Sequence, residues 1–141
     1  IALKQRALGV VAQLVADDPA DVASRRTLAA LKSDLGDSLS KNGRFDEGIA
    51  LSSAAIEDLQ QLLKTDTPNV NDRINLALAE FDLGKAKRAR DRNAKPATGQ
   101  PPAWCAHYRT SLRLLDELGT AARRYGNTAR QEMENLLPGC P

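Results

Sequence analysis

Shifted by 48 residues, this chain lies on itself. Ile1-Ala2-Leu3 falls on Ile49-Ala50-Leu51, and Ala7, Leu8, Val11, Leu14 and Val15 fall on Ala55, Ile56, Leu59, Leu62 and Leu63. The same register carries Val22, Arg25, Leu28 and Asp34-Leu35-Gly36 onto Val70, Arg73, Leu76 and Asp82-Leu83-Gly84. A repeat that spans two segments limits the fold before any propensity is consulted, because each unit must bury its apolar face against the next.

The matched apolar positions step by three and four, which sets them on one face of a helix. Composition agrees: aromatics are only 4% of a chain rich in Ala, Leu, Arg, Asp and Glu, residues that favour helix over strand. The spacing predicts a trailing helix at 1–16, a hairpin at 20–65, a second hairpin at 69–125 and a short capping helix at 128–137. Asp17-Asp18-Pro19 ends the first helix, with Asp18 as the expected N-cap of the second and Pro19 in its first turn. Asn42-Gly43 closes the second helix, Asp66-Thr67-Pro68 repeats the Asp-Pro punctuation, and Gly126-Asn127 is expected to break the helix begun at Trp104. Residues 94–102 hold three prolines and read as a loop. The expectation is an all-α chain of about six helices in one domain, stacked as a curved helical-hairpin solenoid.

With 141 residues, the chain can bury a core without requiring a disulfide, metal or partner on size grounds. A formal net charge of +2 is too small to imply a nucleic-acid or membrane partner, and no apolar run approaches the ~20 residues of a membrane span. Ile1 is not Met and already sits in a helical pattern, which reads as a piece of a longer protein.

Leu35-Gly36, Leu39, Gly43, Phe45, Gly48, Ser52 and Ala55, followed by Leu83-Gly84, Trp104, Tyr108 and Ser111, resemble the tetratricopeptide repeat. The resemblance implies a TPR-like solenoid, a right-handed superhelix of paired helices with small residues where they approach and large ones filling the groove. It departs from the pattern at Ser52, at Trp104 and in its 48-residue period. More narrowly, Asp18-Pro19, Arg25-Arg26, Leu28-Ala29 and Leu35-Gly36-Asp37, then Trp104-Cys105, Tyr108-Arg109, Ser111-Leu112 and a Cys near the C-terminus, are similar to the C-terminal repeat region of bacterial eukaryotic-like serine/threonine protein kinases. That resemblance implies a sensor or docking module, since the chain holds no kinase motif.

By the repeat register, the first helix of each hairpin lines the inner face. It should present Ser33, Asp34, Asp37 and Lys41 from one hairpin and Phe81, Asp82, Lys85 and Arg88 from the next, a mixed-charge groove suited to a peptide. The alternative for these residues is a solvated surface. Lys85, Lys87, Arg88, Arg90, Arg92 and Lys95 form a basic tract that offers a nucleic-acid reading, against which it lacks interleaved aromatics. A third reading is a structural or dimerisation spacer. Cys105 and Cys140 lie at opposite ends of the terminal helical pair, so a disulfide is geometrically open to them and would suit an extracytoplasmic setting; the alternative is two free thiols. His107 lacks metal or catalytic company and reads as a packing or rim residue. No catalytic residue, metal site or cofactor is expected.

Overall fold

The protein was analysed as a computed structural model, which describes residues 1–65, 69–93 and 101–140. The described residues are all-helical. They form α1 (Ala2–Asp17), α2 (Val22–Lys41), α3 (Phe45–Thr65), α4 (Val70–Asn93), α5 (Ala103–Leu118) and α6 (Arg123–Leu136), with short 3-10 turns at Gly119–Ala122 and Leu137–Gly139. Asp66-Thr67-Pro68 and residues 94–100 of the Pro-rich stretch lie outside the described residues.

The turn from α2 to α3 follows from Gly43, whose φ of 79° suits glycine. There the Arg44 N–H donates to the Leu39 carbonyl at 2.9 Å and the Gly43 N–H to Ser40 at 3.0 Å, satisfying two of the carbonyls a helix end leaves open. The two helices then run antiparallel in close contact. A Cβ on Gly36 would stand 2.9 Å from the Gly48 carbonyl oxygen, and one on Gly48 would stand 2.6 Å from that of Gly36. The absent side chains are what lets the backbones approach.

Two apolar clusters follow. Ala29, Ile56, Leu59, Leu62, Leu76, Ala79 and Leu83 join α2, α3 and α4. Phe81, Tyr108, Leu115, Ala129 and Met133 join α4, α5 and α6, with the rings of Phe81 and Tyr108 stacked at 5.6 Å. Across this second hairpin the Ser111 hydroxyl donates to the Ala77 carbonyl at 2.6 Å in a buried position, and Tyr108 closes over Gly84. Burial of apolar surface in the two clusters is the main favourable contribution to the fold.

The helix limits differ from expectation in two places, each for a local reason. Asp21, not Asp18, caps α2: its carboxylate accepts from the Ala23 and Ser24 N–H groups at 3.1 and 3.4 Å and from the Ser24 hydroxyl at 2.6 Å. The Ser24 hydrogen bonds, opposed by desolvation and aided by the Ala23 N–H, hold the Asp21 carboxyl below the usual carboxylate range. Asp18 instead accepts from Ala20 within the connecting turn, so Pro19 precedes the helix. The second difference is the end of α5, which comes at Gly119 with φ of 56°. Gly126 does not break the chain; it sits inside α6, where a Cβ would meet Leu115 at 2.9 Å.

Candidate functional site: the groove between α2 and α4

α2 and α4 lie side by side and parallel, since Arg26 reaches Asp72 near their N-terminal ends and Asp37 reaches Lys85 farther along. Between them runs a series of cavities. One of about 420 Å³ is lined by Arg26, Asn71, Ile74, Asn75 and Leu78. The next, about 240 Å³, shares Asn75 and Leu78 and adds Ser33, Asp34, Asp37 and Asp82. A third, about 120 Å³, shares Asp37 and Asp82 and adds Ser40, Lys41 and Lys85. A separate hollow of about 330 Å³, which shares no lining residue with these three, lies between the end of α4 and the start of α5 and is lined by Arg88, Asp91, Arg92, Pro102 and Trp104.

Six of the eight side chains named from the repeat register, Ser33, Asp34, Asp37, Lys41, Asp82 and Lys85, line these three joined cavities, and Arg88 lines the separate hollow beside α5. Phe81 lines neither. It is buried, stacked on Tyr108, and the Lys85 ammonium covers its face 5.1 Å from the ring centre. The exposed-side aromatic is Trp104, which lines the hollow between α4 and α5 and over which the Arg88 guanidinium lies at 5.6 Å. The groove's apolar members Ala30, Leu78 and Ala89 were not among the residues named from sequence. They sit three or four positions from Ser33, Asp82 and Lys85, so the helical step would have found them.

The charges in the middle of the groove satisfy one another. Asp37 stands between Lys41 at 2.5 Å and Lys85 at 3.3 Å, and Lys85 also reaches Asp82 at 3.2 Å. Burial pushes the Asp37 carboxyl up, yet the Lys41 and Lys85 ammoniums outweigh it and leave Asp37 below the usual carboxylate range. Asp82 goes the other way: desolvation dominates, and it is held above that range with the Asp37 charge adding to the effect and Lys85 opposing it. Lys85 loses some basicity to burial, but its two carboxylates raise it above the ordinary lysine value. Asp34 is occupied as well, by Lys4 of α1 at 2.9 Å. Arg88 and Arg92 have no acidic partner among the described residues. These two guanidiniums border the hollow between α4 and α5.

The remaining basic residues do not share one face. Lys87 contacts His107 Nε2 at 2.9 Å, Arg90 meets Asp91 at 3.5 Å, and Lys95 lies outside the described residues. His107 also bonds Glu80 through Nδ1 at 2.8 Å. Because an ammonium only donates, Nε2 must accept from Lys87, and Nδ1–H then donates to Glu80. The imidazole is a bridge between α4 and α5.

Cys105 and Cys140 are joined, with a Cα separation of 6.0 Å. The bond fastens the turn after α6 to the start of α5. No helix among the described residues is long and apolar enough to cross a membrane. No family model, curated protein or solved structure matches this chain.

Proposed function

We propose that the chain is a non-catalytic, tetratricopeptide-like interaction module that holds an extended peptide along the α2–α4 groove. The observation that carries this reading is the run of joined cavities between two parallel helices, lined by side chains that the repeat register assigns to one face. Small and apolar residues leave room for a backbone, and polar groups at intervals supply hydrogen bonds, which is how concave peptide sites are built. Asp37, Lys41, Lys85 and Asp82 neutralise each other, so they fix register more than overall charge. Arg88 and Arg92 favour a ligand with its acidic end over them.

The narrower resemblance extends the proposal: the module belongs to the trailing region of a bacterial receptor-like serine/threonine kinase, where it senses or docks a protein segment. The residue set from Asp18-Pro19 to Cys140 supports this context.

Selection of random short peptides on the immobilised chain tests the groove. The reading expects acidic peptides whose binding falls in the Lys85→Glu/Arg88→Glu variant. Selected peptides that bind this variant as they bind the wild type would overturn it.

A further inference from the structure

The hollow between α4 and α5 holds positive charge that the protein leaves unmet. Of the residues that line it, Asp91 pairs with Arg90 at 3.5 Å, whereas Arg88 and Arg92 have no acidic partner among the described residues. Residues 94–100, which lie between the two helices in sequence, contain no Asp or Glu. Counting Arg88, Arg90 and Arg92 against Asp91, the end of α4 carries a formal excess of two positive charges. Four positions apart on a helix, Arg88 and Arg92 have Cβ atoms about 5–6 Å apart, near enough for one tetrahedral oxyanion to accept from both guanidinium forks. Their field reaches the core. The Tyr108 hydroxyl is buried without a hydrogen-bond partner, and burial and the Glu132 charge push it up against the opposing pull of Arg88, Lys85 and Arg92.

The hollow also lies next along α4 from the groove. Lys85 and Ala89 line the third cavity, and with Arg88 and Arg92 they step by three, one and three along one face of the helix. A chain leaving that cavity over Lys85 meets Arg88 after about 4.5 Å of helical rise.

We infer, resting on the peptide reading of the α2–α4 groove, that the acidic end of the ligand is a phosphorylated side chain whose phosphomonoester sits in this hollow between Arg88 and Arg92. Charge selects it. A phosphomonoester brings a charge of about −1.5 to −2 at pH 7 and three strong acceptor oxygens, which matches two guanidiniums, whereas a carboxylate leaves half of the excess unmet. A nucleic-acid strand spreads its charge along the backbone and needs a longer basic track. The neighbouring cations do not supply one: Lys85 pairs with Asp82 at 3.2 Å, Arg90 with Asp91 at 3.5 Å, and Lys87 contacts His107 at 2.9 Å. A stacking base would also find the indole engaged, since Arg88 lies over Trp104 at 5.6 Å and Tyr108 packs against it edge-on at 5.4 Å.

Trp104 is the only tryptophan, so its fluorescence reads the hollow directly. The probes are three pools of degenerate short peptides that differ at one fixed position, which is phosphoserine, glutamate or serine. The phosphoserine pool should change the Trp104 emission and bind about tenfold tighter than the glutamate pool. Equal binding of those two pools overturns the phosphate inference and leaves the groove reading standing, whereas no binding by any pool sinks both. Arg88→Gln/Arg92→Gln should bring the phosphoserine pool down to the serine pool with helical circular dichroism unchanged; retained phosphoserine binding overturns the inference. Should the double variant unfold, Arg92→Gln alone, at an exposed position, should still weaken the phosphoserine pool, and an unchanged affinity overturns it. An equal emission change at equal concentration of degenerate single-stranded DNA, or of free phosphoserine, would assign the hollow to nucleic acid or to a small phosphate and overturn the peptide-borne group.

Discussion

Arg26 and Asp72 tie the two hairpins together through a paired contact, Nε to Oδ1 at 2.6 Å and Nη2 to Oδ2 at 2.8 Å. Asp72 is fully buried, whereas Arg26 keeps part of its surface in water. Two parallel N–H donors match a carboxylate better than any single ammonium. Removing the guanidinium leaves a buried carboxylate without its charge partner, so Arg26→Ala should cost about 3 kcal/mol in urea unfolding. Arg26→Lys should recover only part of that loss. A cost near zero for Arg26→Ala would show that the pair does not couple the hairpins.

Glycine substitutions separate close packing from helix propensity. Gly9 and Gly48 are both helical, and alanine favours a helix interior by about 1 kcal/mol. A Cβ at Gly9 meets nothing within 4 Å, but one at Gly48 meets the Gly36 carbonyl oxygen at 2.6 Å. Gly9→Ala should stabilise by roughly 0.5–1 kcal/mol. Gly48→Ala should destabilise by about 1–3 kcal/mol because a backbone atom cannot give way as a side chain can. Thermal melts that moved the same way for both variants would contradict the α2–α3 crossing.

This pair also shows what was legible in advance. The small residues at Gly36, Gly48 and Ser52, the turn at Gly43 and the 48-residue register follow from local chemistry, and they anticipated the hairpin and most of the groove side chains. Gly119 and Gly126 were harder. Either can end a helix, and what separates them is that Leu115 packs against Gly126, a tertiary contact no local pattern reveals. Asp18 and Asp21 posed the same difficulty, since both accept backbone N–H groups near Pro19. Phe81 was misjudged because the helical step fixes a direction around the axis but not depth, and Tyr108 and Lys85 cover it.

The Cys105–Cys140 bond closes a chain segment of 35 residues. On the loop-entropy account such a link is worth roughly 3–4 kcal/mol. Mass spectrometry of unreduced protein should find no free thiol, and Cys105→Ser/Cys140→Ser should unfold at lower urea than the wild type. Two free thiols in the unreduced protein would remove the link.

Stability should depend on pH through Lys85 and Asp37, in opposite directions. Lys85 is more basic folded than unfolded, so its contribution is complete below the ordinary lysine pKa and is lost as pH rises through the folded value. Asp37 is depressed, so its contribution is present above the ordinary carboxylate pKa and is lost as pH falls through the folded one. Asp82, raised by burial, gives stability below the ordinary carboxylate pKa that is lost as pH rises through its folded value, which partly offsets Asp37. Urea midpoints of wild type and Lys85→Met should therefore converge in alkali, and those of wild type and Asp37→Asn in acid. Gaps independent of pH would contradict the network.

The groove reading turns on its basic end. The most direct measurement is the affinity of a selected acidic peptide, and of its twin with lysine in place of each acid, for wild type and for Arg88→Glu/Arg92→Glu. The variant should lose about tenfold or more for the acidic peptide, ~1.4 kcal/mol, and gain for the lysine twin. Unchanged affinity for both peptides would contradict a peptide held along α2 and α4 with its acidic end over Arg88 and Arg92.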